Sequence, residues 1–119
     1  MRNFKELRVW QKGFQIAVNS CRITESFSQQ EKFGLGLQIN KSGISIPSNI
    51  AEGSSRSSDK DYNRFIEISS GSCFELETQL LIAKEINCSK QPLIVETLNQ
   101  LMEEEKMLTA FSSSLQNKK

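Results

Sequence analysis

Apolar residues recur at every third or fourth position through most of the chain, which is the spacing of one face of an α-helix. The first run, within residues 4–23, predicts an amphipathic helix. The members of its apolar face are Leu7, Trp10, Phe14, Ala17 and Cys21. We expect this face to pack on the core.

The most regular repeat begins after residue 58 and predicts a third helix, capped by Ser58 or Asp59. Its apolar and small positions are Tyr62, Ile66, Ser69, Cys73, Leu76, Leu80 and Ala83. Residues 69–73 are all small, so a neighbouring helix should approach closely, or place larger side chains in a groove there. A fourth helix follows, with Ser89 as its cap and Pro92 in its first turn. Its apolar positions are Ile94, Leu98, Leu101, Leu108, Phe111 and Leu115.

The segment before residue 54 allows two interpretations. Ser28 and Glu31 form a capping box, with Phe27 placed as a hydrophobic staple, and predict the start of a second helix. However, the apolar residues that follow also alternate, as they do in a β-hairpin. As a helix, the segment has one apolar face with Leu35, Ile39, Ile46 and Ile50 and another with Phe33, Leu37, Ile44 and Ala51. The capping box favours the helix, and Pro47 should kink it or restart it.

Four amphipathic helices joined by short links predict an all-α, antiparallel four-helix bundle that forms one domain over residues 1–119. The second helix carries more apolar surface than one groove of such a bundle covers, because both of its faces are apolar. An apolar face left in water usually marks an interface. We therefore expect the chain to form a homo-oligomer.

Composition argues against most kinds of catalytic chemistry. The chain has 15 basic residues, 14 acidic residues and no histidine. The commonest general base and the commonest metal ligand are therefore missing, and the glutamates lack the partners that a two-metal carboxylate site needs. We expect no enzyme activity, no cofactor and no metal. The three consecutive glutamates at 103–105 are interpreted as a solvent-exposed helix face.

The cysteines and the N-terminal residues indicate the cellular compartment of the protein. Cys21, Cys73 and Cys88 are odd in number and widely spaced, which favours buried, reduced thiols over disulfides. The first residues are charged where a signal peptide has an apolar run, and no apolar stretch is long enough to cross a membrane. We expect a cytoplasmic protein with no membrane partner.

Seven cations are the candidates for contact with nucleic acid. Some follow one side of the first helix, and others surround the serine-rich turn after residue 53. They are Arg8, Lys12, Arg22, Lys41, Arg56, Lys60 and Arg64. Those near the start of the first helix lie opposite Trp10 and Phe14 and are expected to face solvent. No aromatic residue is interleaved to stack bases, so binding would depend on phosphate contacts and would be insensitive to sequence.

Several segments resemble one known family. The motifs are Leu7-x-Val9-Trp10, Phe33-Gly34-Leu35-x-x-Gln38-Ile39, Ser45-Ile46-Pro47-Ser48-Asn49-Ile50-Ala51-Glu52-Gly53 and Glu75-Leu76-Glu77-Thr78-Gln79-Leu80. They are similar to bacterial proteins first noticed as reading frames in intervening sequences of large-subunit (23S) ribosomal RNA genes. The resemblance implies a four-helix bundle with the proline block inside the second helix, and a ring-shaped homopentamer. It also implies a relationship to the accessory variability determinant of diversity-generating retroelements, a basic barrel associated with reverse transcriptase and nucleic acid.

The resemblance implies no established activity for the family. Many relatives have two arginines where this chain has Asn40-Lys41, which halves the local charge. We expect a non-enzymatic homo-oligomer, five subunits by the resemblance, that associates with RNA or DNA through its basic surfaces. The alternative is a protein-binding scaffold or accessory subunit without nucleic-acid contact. Structural or interface roles are expected for Pro47, Asn49, Glu52, Gly53, Glu77 and Gln79.

Overall fold

The structure is a computed structural model that describes residues 3–88 and 90–117. Within these residues it contains helices and no strand, so the prediction of an all-α fold is confirmed. The helical elements are a 3-10 turn at Phe4–Glu6, α1 at Arg8–Glu25, α2 at Gln29–Glu31, a π-helical turn at Lys32–Gly36, α3 at Leu37–Ser54, α4 at Asp59–Glu85 and α5 at Gln91–Gln116. The predicted cap Ser89 lies outside the described residues.

The four long helices lie around one shared core. α1 packs on α3, α3 on α4 and α4 on α5, and α5 closes the arrangement against α1. The fully buried aliphatic side chains come from all four helices and are Ile16, Ile23, Ile39, Ile46, Ile50, Ile66, Leu76, Leu80, Ile94, Leu101 and Leu108. Each contributes about 1.5 to 3 kcal/mol relative to an exposed position.

The core face predicted for α1 is correct only in part. Ala17 is buried, and Leu7 and Trp10 are partly buried and pack against the core, whereas Phe14 is 50% exposed and Cys21 is exposed. The larger buried aliphatic side chains are instead Val9, Ile16 and Ile23. Two apolar stripes run along this helix, and the isoleucines of the less bulky one fill the space between helices. Trp10 and Phe14 of the other stripe stack with ring centroids 5.1 Å apart, and Phe4 of the preceding 3-10 turn contacts Trp10 edge to face at 5.3 Å.

The helical interpretation of the second segment is correct, and the hairpin is excluded. The Ser28 hydroxyl accepts a hydrogen bond from the Glu31 backbone N–H at 3.3 Å, as the capping box predicts. The Glu31 carboxylate accepts from the Ser28 hydroxyl, whereas the capping box places it on the Ser28 backbone N–H. α2, the π-helical turn and α3 follow one another without interruption. α3 continues through Pro47 and does not restart there.

The close approach predicted at the small residues of α4 is confirmed. The Ser69 hydroxyl donates to the Ile46 carbonyl oxygen of α3 at 3.0 Å. The hydroxyl groups of Ser45 and Ser72 are 2.8 Å apart. Because these side chains are short, the α3 and α4 backbones lie close enough for direct hydrogen bonds between the two helices.

Candidate interaction surfaces

The basic stripe predicted on α1 does not lie wholly in solvent. The Lys12 ammonium group reaches α5, where it is 2.7 Å from the Glu103 carboxylate. The hydrogen bond and the charge of Lys12 lower the pKa of Glu103. Arg8 and Arg22 are exposed and form no ion pair within the part of the chain that the structure describes. The stripe therefore presents fewer uncompensated charges than its sequence suggests.

The cluster beside the serine-rich turn is also partly neutralised. Arg56 lies 2.5 Å from the Glu52 carboxylate, and Arg64 lies 3.6 Å from Asp61. The guanidinium carbons of both arginines lie over the Phe65 ring, 4.7 and 5.8 Å from its centroid. These contacts hold Arg56 across the turn between α3 and α4, whereas the Arg64 side chain remains mostly exposed.

Lys41 and Lys60 complete the set of predicted cations. Both side chains are exposed, and neither forms an ion pair among residues 3–88 and 90–117. Lys41 lies on α3, while Lys60 is in the first turn of α4. The structure thus brings the cations together only around the α3–α4 turn and leaves the others on separate helices.

The motif around Pro47 joins α3 to α4. The Asn49 amide donates to the carbonyl oxygen and to the hydroxyl of Ser45, both at 2.9 Å. Ser45 in turn hydrogen-bonds Ser72 of α4. Asn49 therefore fixes the rotamer of the serine that connects the two helices, which is a positioning role within one chain.

Gly53 lies where α3 and α4 pack most closely. It is buried, and a Cβ atom at this position would lie 2.9 Å from the Phe65 Cβ and 2.9 Å from a ring carbon of Tyr62. Real Cβ atoms do not approach other atoms so closely. The glycine is therefore required by packing.

Gln79 lines a small polar cleft between α3 and α4. The cleft has a volume of about 230 Å³ and is lined by Gln38, Lys41, Ser42, Ser45, Ser72, Glu75 and Gln79. The Gln79 side-chain oxygen is buried and has no hydrogen-bond partner among the described residues. A buried acceptor without a partner usually lowers stability by about 1 to 3 kcal/mol. This oxygen could therefore accept a hydrogen bond from another molecule.

Glu104 is a site residue that the sequence analysis missed, and its assignment to a solvent-exposed face is wrong. The side chain is fully buried, and neither carboxylate oxygen has a hydrogen-bond partner among the described residues. Gly13 of α1 makes room for it, because a Cβ there would lie 3.0 Å from one of these oxygens. Burial raises the pKa of Glu104 to about 8, against the opposing charge of Lys12. The carboxyl group is thus protonated and neutral at pH 7.

A second pair of acidic groups joins α4 to α5. Glu77 and Glu105 share a side-chain hydrogen bond, and burial, this bond and the Glu77 charge raise the pKa of Glu105 to about 7. Two ionised carboxylates repel each other, so Glu105 keeps its proton to a higher pH than an exposed glutamate does. Burial, with the charges of nearby glutamates, also raises the pKa of the Cys73 thiol.

Large apolar side chains are exposed on several faces. They are Phe14, Phe33, Leu37, Ile44, Ile68, Phe74, Leu81, Ile82, Ile86, Val95 and Met102. Phe33, Leu37 and Ile44 are 69%, 57% and 49% exposed, and they belong to the second apolar face of the second helical segment. The core of this chain does not cover that face.

The described residues show neither a metal-binding cluster nor a membrane-spanning helix. Residues 3–88 and 90–117 contain no cluster of three or more histidine, cysteine, aspartate or glutamate side chains arranged to hold a metal ion. None of the described helices is long and apolar enough to span a bilayer. The three cysteines are free, and the expectation that all are buried fails for Cys21, which is exposed.

Comparison with known proteins identifies the family. No curated protein matches the chain. A crystal structure of a protein of unknown function from the S23 ribosomal protein family of Bacteroides thetaiotaomicron is similar, with a TM-score of 0.80 and 24% sequence identity over 87% of this chain and 97% of that one. This likeness supports the helical fold. The model of the 23S rRNA-intervening sequence protein family matches residues 5–110, nearly the whole chain. The chain therefore belongs to the family of 23S rRNA-intervening sequence proteins.

Proposed function

We propose that this chain is a non-enzymatic helical protein that assembles with copies of itself, and that the assembly presents its basic residues to RNA or DNA. The observation that carries the first part is the row formed by Phe33, Leu37 and Ile44, which lies on one side of the second helical segment and is about half exposed or more. Several large apolar side chains exposed on one side of a helix often mark a protein interface. A second copy of the chain is a partner that is always present at the same concentration.

The resemblance in the Pro47 block supports five subunits. Sizing chromatography coupled to light scattering should therefore give about five times the chain mass of 13.5 kDa. Replacing Leu37 and Ile44 together by serine should shift the mass toward that of one chain while circular dichroism still shows helices. Replacing Ser55 by alanine, at an exposed position just after α3, is the control. A wild-type protein that stays monomeric at all concentrations would refute the proposal.

Association with nucleic acid is the second part of the proposal. It is supported by four of the seven candidate cations, which form no ion pair among residues 3–88 and 90–117. They are Arg8, Arg22, Lys41 and Lys60. In an oligomer each is repeated in every subunit, so a modest patch becomes an extended basic surface. Binding should be independent of sequence and should fall by orders of magnitude between about 50 and 200 mM salt if six or more phosphates are contacted.

An electrophoretic mobility shift with RNA and DNA of mixed sequence tests this part. Replacing Arg8 and Arg22 by glutamate should abolish the shift if α1 carries the binding surface. Replacing Arg64 by glutamine, which removes a cation already paired with Asp61, should change it little. A wild-type oligomer that shifts neither nucleic acid at 50 mM salt would contradict this part and leave a protein-binding scaffold as the function.

A further inference from the structure

Two rows of exposed side chains on different helices have matching patterns. On α3, Lys41 has Leu37 four residues before it and Ile44 three residues after it. On α4, Glu77 has Leu81 four residues after it and Phe74 three residues before it. Residues spaced by three and four lie on one side of a helix. Each row therefore presents a charge between two apolar side chains.

The four apolar side chains of the two rows are exposed to a similar extent. Leu37 and Ile44 are 57% and 49% exposed, and Phe74 and Leu81 are 58% and 49% exposed. Lys41 forms no ion pair among the described residues. These two rows thus have apolar surface and charge that their own chain leaves unmatched.

The carboxyl pair in the α4 row is prepared for a cation. Glu77 shares its hydrogen bond with Glu105 of α5, and one oxygen of Glu105 is buried without a partner among the described residues. Met102, which is 52% exposed, lies one helical turn before Glu105 and extends the apolar rim onto α5. An ammonium group placed here would donate to this unpartnered oxygen and offset the repulsion between the two carboxyl groups.

We propose that the Leu37–Lys41–Ile44 row of one copy packs antiparallel on the α4–α5 surface of a second copy, with Lys41 bound to Glu77 and Glu105. Read in opposite directions, the two rows have the same spacing, four residues and then three. Leu37 then meets Leu81, Lys41 meets Glu77, and Ile44 meets Phe74. The same alignment of the two helices places the lysine against the carboxyl groups and covers the apolar side chains. Each row extends over about 10 Å of helix.

The contact is heterologous, because it joins two different surfaces of the chain. α3 does not pack beside α5, so the α3 row and the α4–α5 surface of one chain point in different directions. A head-to-tail contact of this kind closes into a ring, or extends as a filament, and does not form a two-fold dimer. This inference rests on the proposed self-assembly and names the surfaces that perform it. It removes Lys41 from the cations that the assembly can present to nucleic acid and leaves Arg8, Arg22 and Lys60 for that role.

Charge reversal tests the contact. Lys41→Glu and Glu77→Lys should each weaken assembly by about 100-fold, because each places like charges against one another at the centre of the contact. Combining both reversals in one chain should restore the wild-type mass. In an equimolar mixture of the two single variants, contacts should form between unlike chains only. Such an alternating assembly cannot close into a ring of five without one like-charge contact, so its mass should exceed that of one chain but differ from that of the wild type. Lys60→Glu, which reverses an exposed lysine at the start of α4, is the matched control and should leave the mass unchanged.

The outcomes separate the two proposals. Wild-type oligomers whose mass is unaffected by Lys41→Glu would overturn this contact and leave self-assembly in place. A monomeric wild-type chain would overturn both proposals and assign the rows to a different partner. Because Lys41 is exposed, its reversal should not disturb folding, and circular dichroism of the variant verifies this. If both single variants dissociate and the combined reversal does not reassemble, the pairing of Lys41 with Glu77 is wrong.

Discussion

Between α3 and α4, the hydroxyl groups of Ser45, Ser69 and Ser72 have hydrogen-bond partners on the opposite helix. Between α1 and α5, Glu104 is buried and its two oxygens have no partner among the described residues. Short side chains let two helices approach until their polar groups meet. At the α1–α5 contact, Gly13 provides space for a large polar group without providing a donor. Small residues therefore stabilise the α3–α4 contact through hydrogen bonds. At the α1–α5 contact they only make room for a destabilising group.

The largest expected change in stability comes from replacing Glu104 by glutamine, which removes the buried carboxyl group from the α1–α5 contact. The native pKa is about 8, against an ordinary value of 4.5, so the folded chain keeps a proton that the unfolded chain releases. The free energy of unfolding therefore falls as pH rises between these values, by up to about 1.4 kcal/mol per pH unit. Glutamine carries no titrating proton. Compared with wild type, the variant should be more stable by about 2 to 4 kcal/mol at pH 9 and nearly equal at pH 4.5.

Urea unfolding at several pH values measures the Glu104 effect. Glu103→Gln is the matched control, since that side chain is exposed and should show no gain that grows with pH. If the stability difference between Glu104→Gln and wild type is the same at pH 5 and pH 9, Glu104 is ionised in the native protein.

Gly53→Ala should break the α3–α4 contact with the next largest effect. The added methyl group would lie 2.9 Å from Phe65 and Tyr62 atoms, and such overpacking typically costs about 1 to 3 kcal/mol. Gly71→Ala is the control on α4, because a Cβ there meets no atom within 4 Å. That variant should gain up to about 1 kcal/mol from helix propensity. Thermal unfolding followed by circular dichroism should order the melting temperatures as Gly71→Ala, wild type, Gly53→Ala; the reverse order would show that α3 and α4 separate easily.

The smallest expected effect comes from a single hydroxyl group of the α3–α4 contact. Ser69→Ala removes the hydrogen bond to the Ile46 carbonyl and should lower the free energy of unfolding by about 1 kcal/mol. Ser114→Ala removes a bond to the Phe111 carbonyl on an exposed face and should have little effect. Urea unfolding measures both variants. If their free energies of unfolding fall by the same amount, the hydrogen bond between α3 and α4 does not make the contribution assigned to it.

Helix starts were predictable because a cap is a local pattern. Ser28 and Ser58 each accept a hydrogen bond from the backbone N–H three residues later, which is a contact within one helical turn. The buried side of α1 was not predictable in the same way. Both of its apolar stripes have helical spacing, and only the other helices determine which stripe lies inside.

The acidic and basic side chains of the candidate surfaces were the least predictable. Glu104 falls three residues after Leu101 and four before Leu108, so its position in the core repeat could have been noticed, but three adjacent glutamates indicated solvent. Lys12 meets Glu103, and no local pattern links residues so far apart in sequence. Long charged side chains find partners through tertiary structure, and sequence spacing alone predicts which helix carries them but not what they contact.

The π-helical turn at Lys32–Gly36 has a consequence for how the length of the chain can change. Such a turn contains about one residue more than an α-helical turn, because its hydrogen bonds reach back five residues. Deleting Gly34, where a Cβ would meet no atom within 4 Å, would convert the segment to an ordinary turn between the same cap at Ser28 and the same buried Ile39. A one-residue deletion is therefore absorbed at this point, and every residue after it keeps its orientation. We therefore expect a homologous chain that lacks this residue to keep the same helices after it.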